Sequence, residues 1–207
     1  MDETKKALSE EQDKKMFGVG VNLRGVNLSE VDLTWADLRG VNLRGANLRQ
    51  AVLNRVNLSR VNLSEANLHQ AALQGADLME ATLSGADLSK ADLRWANLSW
   101  AKLGGVSLSN ANLAGADLVG VDLTGVDLTG VDLVGANLVW ADLVGANLVR
   151  ANLRGANLWR ADLSDANLAG ADLVRADLRE VNLEGTGVTP TDLIKAGAKA
   201  TPAIEVN

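Results

Sequence analysis

The chain has 207 residues, a formal net charge of −6, 47% hydrophobic residues and no cysteine. Without cysteine there is no disulfide framework and no thiolate chemistry. The acidic balance disfavours nonspecific binding to nucleic acid or to an anionic membrane. No apolar run approaches the roughly 18 residues of a membrane-spanning helix. We therefore expect a soluble protein without direct nucleic-acid or membrane binding, with the cytoplasm as its default location.

Residues 1–20 are predicted to form an N-terminal cap that is largely helical. Ser9 and Gln12 have the spacing of a helix capping box. Leu8, Met16 and Phe17 could then cover the end of the structure that follows. The charged segment Met1–Asp13 is unlike a secretory signal.

A five-residue repeat fills Val21 to Gly185 with 33 units. Each unit has leucine in its third place, from Leu23 to Leu183, and alanine or valine two residues earlier. This period keeps leucine on one face of neither an α-helix nor one continuous strand. If the chain bends once per unit, every Ala/Val and Leu pair can point inward. The repeat therefore predicts a backbone that coils around an apolar interior.

The other three places of each unit suit bends and solvent. The place between the inward pair holds Asn or Asp, whose side chains readily bond to backbone groups at turns. Glycine is frequent in the last place, as at Gly25 and Gly125, where a positive φ has little steric cost. The Asn/Asp place has five exceptions: Val52, Ala72, Thr82, Lys102 and Ser107.

These units resemble the pentapeptide repeat family, whose consensus is A(D/N)LXX. The resemblance covers residues 21–185 and implies an all-β fold, a right-handed quadrilateral parallel β-helix of about eight coils with four units per coil. At roughly 4.8 Å per coil the rod is about 40 Å long. Family members that protect DNA gyrase commonly have central phenylalanines and interrupting loops, and the repeats of this chain have neither.

Residues 186–207 are predicted to form a C-terminal cap, because the last coil of a stacked rod would otherwise expose its core and its strand edges. The cap is predicted to contain a short helix, in which Leu193 and Ile194 would cover that coil and which Gly197 would end. The tail 198–207 is expected to be loose, although Ile204–Val206 could pair as an edge strand. Three residues have the spacing of a helix start: Thr189, Pro190 and Asp192.

The residue inventory predicts no catalysis, no cofactor and no metal site. The single histidine, His69, falls in an outward place, which is typical of a solvated surface residue. His, Asp and Glu show no metal-ligand spacing. The frequent serines after the leucine, such as Ser64 and Ser84, have no general base positioned for them. We therefore predict that the chain is not an enzyme.

If the coil is four-sided, one of its columns of outward residues is unusually acidic. If residues 20 apart stack, the side centred on Leu123 and Leu143 places three carboxylates about 5 Å apart in succession. Two interpretations stay open: solvated acids, or a docking stripe for a basic partner or a cation. The three residues are Asp122, Asp142 and Asp162.

A second asymmetry is apolar and lies on the neighbouring side. All five tryptophans of the chain fall on that side or at its two corners. Stacking of aromatic and β-branched side chains could simply stabilise the sheet. Alternatively, the patch is a self-association or partner surface in the C-terminal half. Its candidate residues are Trp100, Val119, Val139, Trp140 and Trp159.

These features favour a rigid protein–protein interaction scaffold whose partner is another protein or a second copy in a homodimer. The resemblance implies an alternative, a DNA-mimicking modulator of DNA gyrase. A DNA mimic should be acidic along most of its length, whereas arginines such as Arg24, Arg39 and Arg44 nearly balance the first half of this rod.

Overall fold

The computed structural model of the protein describes residues 20–200. The helical N-terminal cap predicted before residue 20 and the edge strand predicted at Ile204–Val206 lie outside the described residues.

The repeats wind into a coil with four units per turn. Parallel β-bridges join the Asn/Asp place of one coil to the same place 20 residues later, from Asn22 with Asn42 to Asp162 with Asn182. Since 20 residues are four units, the predicted four-sided coil is confirmed. Parallel crossovers of this kind are right-handed.

Each side of the rod is named here by its column of leucines. Side 1 is centred on the column Leu23 to Leu183, and side 2 on Leu28 to Leu168. Side 3 is centred on Leu33 to Leu173, and side 4 on Leu38 to Leu178.

Backbone hydrogen bonds between successive coils hold each side together. On side 4 the Leu58 N–H donates to the Asp77 carbonyl (2.7 Å), and the Asp77 N–H donates to the Val56 carbonyl (2.9 Å). The corner is closed within the chain, because the Val61 N–H donates to the Leu58 carbonyl (3.1 Å). The extended pieces therefore satisfy their backbone groups although each is only a few residues long.

The interior is filled by the two inward places of each unit. Leu58 and Val56 are fully buried. Nearly all the other inward residues between Leu28 and Leu178, on all four sides, are also buried. No polar or charged side chain among residues 20–200 is buried. The core is therefore apolar throughout the described rod, as the inward assignment predicts.

The corner residue, the last of each unit, has a positive φ in every unit from Gly25 to Gly185. This is the third position of a type II turn, which favours glycine. Eighteen of these residues are nevertheless not glycine. The sequence predicts the conformation only at the glycines, whereas the four-sided coil imposes it at every corner.

Beyond the repeats, the C-terminal end contains one helix and one short sheet. Strand β1 spans Asp177–Leu178, helix α1 spans Pro190–Ala196, and strand β2 spans Lys199–Ala200. The Thr189 hydroxyl accepts from the Asp192 N–H (3.3 Å), while the Asp192 carboxylate accepts from the Thr189 N–H (3.0 Å). These two bonds form a capping box at the start of α1.

Two expectations for this end are wrong. Leu193 packs into the core, but Ile194 is 78% exposed, because the next residue on a helix points about 100° away. Residues 199 and 200 are not loose, since β2 pairs in parallel with β1. The last coil leaves an open strand edge on side 4, and β2 satisfies part of it. Gly197 ends α1 in the left-handed conformation (φ 59°).

In the middle of the rod the ladder is interrupted on side 2 and weakened on side 1, where the bridge between Lys102 and Asp122 persists. The β-bridge expected between Ser107 and Asp127 is absent, although its neighbours above and below are present. Six N–H groups at the places that elsewhere bond to a neighbouring coil make no backbone hydrogen bond of ordinary length and angle: those of Leu103, Gly105, Leu108, Asn110, Asp122 and Asp127.

Interior volume and lost corner caps explain this interruption. Val106 lies directly against Val126 of the next coil, where most coils have alanine, and their exposures are 5% and 3%. Lys102 and Ser107 replace the Asn or Asp that normally braces the corner. Elsewhere Val41 and Val61 also stack, but only one bond lengthens, to 3.2 Å. Overpacking together with missing caps therefore separates the coils.

Candidate interaction surface

The Asn/Asp place braces most corners from outside. The Asn97 Oδ1 accepts from the Ser99 N–H (3.0 Å), and the Asn97 Nδ2 donates to the Asp77 Oδ1 of the preceding coil (3.1 Å). Asn137 donates to Asp117 in the same way (3.2 Å). On side 4, alternation of acid and amide therefore gives each of these carboxylates a donor as well as distance from the next carboxylate.

The acidic stripe, defined as Asp122, Asp142 and Asp162, lacks this alternation. Its members are consecutive β-bridge partners on side 1, as the sequence predicts. Each Oδ1 accepts from the backbone N–H two residues later, at 3.1, 3.1 and 2.9 Å. Only Asp162 also accepts from side chains, those of Ser164 and Asn182. Asp122 and Asp142 are exposed. The stripe thus presents carboxylate oxygens to solvent on one flat side.

The two ends of the stripe differ from its middle. Lys102 is the bridge partner that precedes Asp122, and Asn182 is the partner that follows Asp162. Burial raises the pKa of Asp162, but hydrogen bonds from Ser164 and Asn182 outweigh it and hold the pKa below its ordinary value. Asp162 therefore stays ionised at neutral pH.

The candidate apolar patch on side 4 and at its corner with side 1 is called the tryptophan surface. Two of its rings are in contact at its centre. The Trp140 and Trp159 rings lie 5.9 Å apart between centroids and are tilted by 38°. The Arg160 guanidinium lies 4.4 Å from the centroid of Trp159. Glu180 accepts from the Trp159 Nε1 (3.2 Å) and from the Arg160 Nε (2.6 Å). These contacts fix the ring of Trp159, while Trp140 stays 48% exposed.

The remaining members extend this surface toward the middle of the rod. Trp100 lies over Gly120, where an added Cβ would come within 2.3 Å of the ring. Trp100 and Trp140 are 53% and 48% exposed. Val119 and Val139 are half-buried between these corners. The tryptophan surface thus consists of five residues: Trp100, Val119, Val139, Trp140 and Trp159.

The other two tryptophans lie apart from this surface. Trp35 and Trp95 occupy the opposite corner of side 4 and are 64% and 65% exposed. Each has an arginine over its ring, Arg55 at 4.8 Å and Arg94 at 5.6 Å. Their rings are therefore isolated cation–π pairs.

The structure brings the two candidate features together at one corner. Trp140 is the corner residue between side 4 and side 1, and Asp142 follows it by two residues. Arg160, Glu180 and Gly120 complete the geometry, and sequence reasoning did not single them out. The signal for them was the 20-residue spacing, which stacks Arg160 and Glu180 after Trp140.

Charge is distributed unevenly along the rod. Residues 103–149 contain five aspartates and no Lys, Arg or Glu. In the first half, by contrast, arginines pair with acids of the next coil, as Arg44 does with Glu65 (2.8 Å) and Arg60 with Glu80 (3.1 Å). Only the middle of the rod is therefore purely acidic.

Groups suited to chemistry are engaged elsewhere. His69 Nδ1 lies 2.7 Å from the Ser89 Oγ. A groove of about 590 Å³ beneath α1 contains Asp172 and Asp192, but Arg154 and the capping box already engage these two acids. Within residues 20–200 there is no group of three or more His, Asp or Glu that could hold a metal ion. No helix in that range is long and apolar enough to cross a membrane.

Comparison with protein families gives one extensive match. The family model described as Pentapeptide repeats matches eight copies along the chain. The matched segments are residues 19–55, 42–78, 57–94, 91–130, 121–148 and 146–185. A comparison with curated protein sequences finds no match.

Two solved structures are similar over almost the whole chain. HetL, a pentapeptide repeat protein involved in heterocyst differentiation regulation in the cyanobacterium Nostoc sp. strain PCC 7120, is 32% identical. The match covers 97% of each chain with a TM-score of 0.52. Trypsin-treated QnrB1, a plasmid-mediated fluoroquinolone resistance protein, is 18% identical over 89% of this chain and 91% of its own, with a TM-score of 0.51. At that identity the second likeness concerns the fold alone.

Proposed function

The chain belongs to the pentapeptide repeat family, and from that premise we propose that it is a non-enzymatic scaffold that binds a partner protein through the tryptophan surface. One observation carries the proposal: the Trp140–Trp159 pair, in which Arg160 and Glu180 hold Trp159 while Trp140 is 48% exposed. Aromatic side chains fixed in this way are typical centres of protein interfaces, because little side-chain entropy is lost on binding.

The surroundings of the surface indicate the chemistry of the partner. The belt at residues 103–149 is acidic and has no cation, and it includes Val119, Val139 and Trp140. A complementary partner would place aliphatic or aromatic side chains on the rings and lysine or arginine beside the aspartates. The rod supplies rigidity, since its coils are tied by a backbone ladder along most of its length.

Duplex mimicry is less well supported by the charges. A DNA mimic needs acidity along the length that enters the DNA site, whereas the arginines of the first half of this rod pair with acids such as Glu65 and Glu80. A supercoiling assay with purified DNA gyrase tests this alternative. Loss of supercoiling at stoichiometric protein would favour mimicry, and an unchanged rate would exclude it.

The scaffold proposal is tested by the variant Val139→Ser/Trp140→Gly. Serine occupies the equivalent place at Ser59 and Ser99, and glycine suits the positive φ of this corner, so the fold is retained. Proteins captured from the source cell by the wild-type chain are identified, purified and measured by calorimetry. We expect the variant to weaken binding at least about tenfold.

Trp35→Gly is the matched control, because it removes an equally exposed tryptophan at a corner outside the surface. This control should bind the purified partner as tightly as the wild type. A partner that binds the double variant with unchanged affinity would contradict the proposal.

A further inference from the structure

Side 1 has a charge gradient along the rod. Toward its first end the outward places contain arginine, asparagine and threonine, and Lys102 stands in the middle. Beyond Lys102 come the acidic stripe, then Asp165 and Glu184. Apart from Glu65, which Arg44 pairs within the same copy, basic and hydrogen-bond donor groups therefore occupy one half of the side, and carboxylates occupy the other.

From this gradient we propose that side 1 is the interface of an antiparallel homodimer, in which a two-fold axis passes between the levels of Lys102 and Asp122. This second copy lies on a different side from the partner proposed above. A two-fold axis in the interface plane and perpendicular to the rod keeps each column opposite itself and reverses its order. Donor and acceptor halves of side 1 then face each other.

The register matches every carboxylate of the acidic stripe to a donor. Lys102 faces Asp122 of the second copy, so that this ion pair forms twice. One coil further out Thr82 faces Asp142, and beyond it Asn62 faces Asp162. The chain already uses this chemistry within itself, where the Asn97 amide donates to the Asp77 carboxylate at 3.1 Å. The second copy thus supplies side-chain donors to Asp122 and Asp142, which within their own copy accept from backbone N–H groups, and a second amide to Asp162.

Small residues let the two sides approach closely. In the place after the leucine, the four central levels of side 1 contain Ser84, Gly104, Thr124 and Val144. The corner that follows is glycine at the same four levels: Gly85, Gly105, Gly125 and Gly145. At these four levels neither of the two places carries a long side chain.

Arg44 of one copy reaches the opposite end of the second copy. The register places Arg44 opposite Glu184 and Glu65 opposite Asp165. Arg44 bonds Glu65 of its own copy (2.8 Å) and thereby offsets this one pair of like charges. A parallel dimer would instead oppose acidic end to acidic end, which is unfavourable at low salt. The charge gradient therefore selects the antiparallel orientation.

Geometry sets the strength of this dimer and what it presents. Eight overlapping coils of about 4.8 Å and a side about 10 Å wide bury on the order of 400 Å² per partner, about half the area of a standard stable interface and in the range of weak, transient contacts. We expect a weak, salt-sensitive dimer. The same axis leaves side 4 of both copies facing the same way, so the dimer presents two tryptophan surfaces together.

Sedimentation equilibrium of the full-length chain tests the register by charge exchange. Lys102→Glu and Asp122→Lys each place like charges at both central pairs, and each should raise the dimer dissociation constant at least about tenfold. The double variant Lys102→Glu/Asp122→Lys re-forms both pairs with reversed sign. It should recover the wild-type constant within about threefold.

Matched controls make the same charge changes away from side 1. Lys90→Glu lies at the corner of sides 2 and 3, and Asp132→Lys lies on side 3; both should leave the dissociation constant unchanged. The proposal is overturned by a wild-type chain that is monomeric at about 500 μM, by single variants that associate normally, or by a double variant that fails to recover.

Failure of this proposal is distinguishable from failure of the proposed function. Val139→Ser/Trp140→Gly should lose the partner protein and keep the dimer, whereas Lys102→Glu, which lies outside the acidic belt at residues 103–149, should keep the partner and lose the dimer. A dimer that depends on Trp140 and ignores Lys102 would place the second copy on side 4 and overturn the assignment to side 1.

Discussion

The corner residue shows how the coil overrides local preference. Left-handed backbone conformation costs a non-glycine residue roughly 1–2 kcal/mol, and eighteen corners bear that cost. Bonds from each corner N–H to the next coil and the buried leucine on either side compensate for it. Glycine at a corner is therefore a stabilising choice rather than a requirement of the repeat.

Alanine at a corner glycine should isolate this cost. A Cβ added at Gly145 meets no atom within 4 Å, so Gly145→Ala should lower the free energy of unfolding by about 1 kcal/mol through backbone strain alone. Gly120→Ala should cost more and shift tryptophan fluorescence, because its Cβ would displace the Trp100 ring. Urea unfolding measures both.

Gln70→Ala is the control for these two variants. Gln70 already has a positive φ (58°), and alanine at this corner would bear the same backbone strain as glutamine. It should change the stability little. Equal stability of Gly145→Ala and wild type would contradict the strain argument.

Ion pairs within a unit make the rod sensitive to acid. The side-chain hydrogen bond from arginine is the largest cause that holds the pKa of three carboxyls below their ordinary value: Asp37 by Arg39, Asp92 by Arg94, and Asp177 by Arg179. A lowered folded-state pKa contributes stability above the unfolded pKa, about 3.9 for aspartate, and loses it as the pH falls further.

The melting temperature should therefore be nearly constant between about pH 7 and 5 and fall below about pH 4. Calorimetry across this range measures it. The combined variant Arg39→Gln/Arg94→Gln should show a shallower fall, because two of the lowered pKa values return toward normal. A profile as steep as that of the wild type would show that these pairs do not set the acid response.

At the scale of the structural element, the sequence predicts the regular parts and misses the context-dependent ones. The strict Leu and Ala/Val spacing identifies the interior, and Leu58 and Val56 are buried as expected. The packing of Trp100 on Gly120 cannot be predicted from the repeat, because it depends on the rotamer of the ring rather than on residue spacing. Likewise β2 forms only because the preceding coil leaves an edge open.

The interrupted ladder is the element most affected by packing. Its unbonded N–H groups lie between coils whose interiors contain Val106 and Val126, and this volume conflict cannot be read from the period of the repeat. Such a site should open locally more often than its neighbours.

Hydrogen exchange should reveal this opening directly. We expect the amides of Leu103 and Leu108 to exchange at least about tenfold faster than those of Leu83 and Leu88, which bond to the next coil. Exchange followed by NMR resolves these amides. Protection at Leu103 and Leu108 equal to that one coil earlier would contradict an interrupted ladder.

At the scale of the whole molecule, the rod is a chain of nearest-neighbour contacts. Each coil packs only on the coils before and after it, so its stability depends on how many neighbours it has. Position along the rod should therefore decide the cost of a given core substitution more than its chemistry does.

Leucine truncation tests this dependence on position. Leu143 is fully buried with a coil on both sides, and Leu143→Ala should cost about 2–5 kcal/mol in the cooperative unfolding transition. Leu183 lies in the last coil and is 6% exposed, so Leu183→Ala should cost less and appear as early fraying of that end. Urea titration followed by far-UV dichroism separates the two effects. Equal shifts of one cooperative transition would mean that α1 and β2 close the end as completely as another coil would.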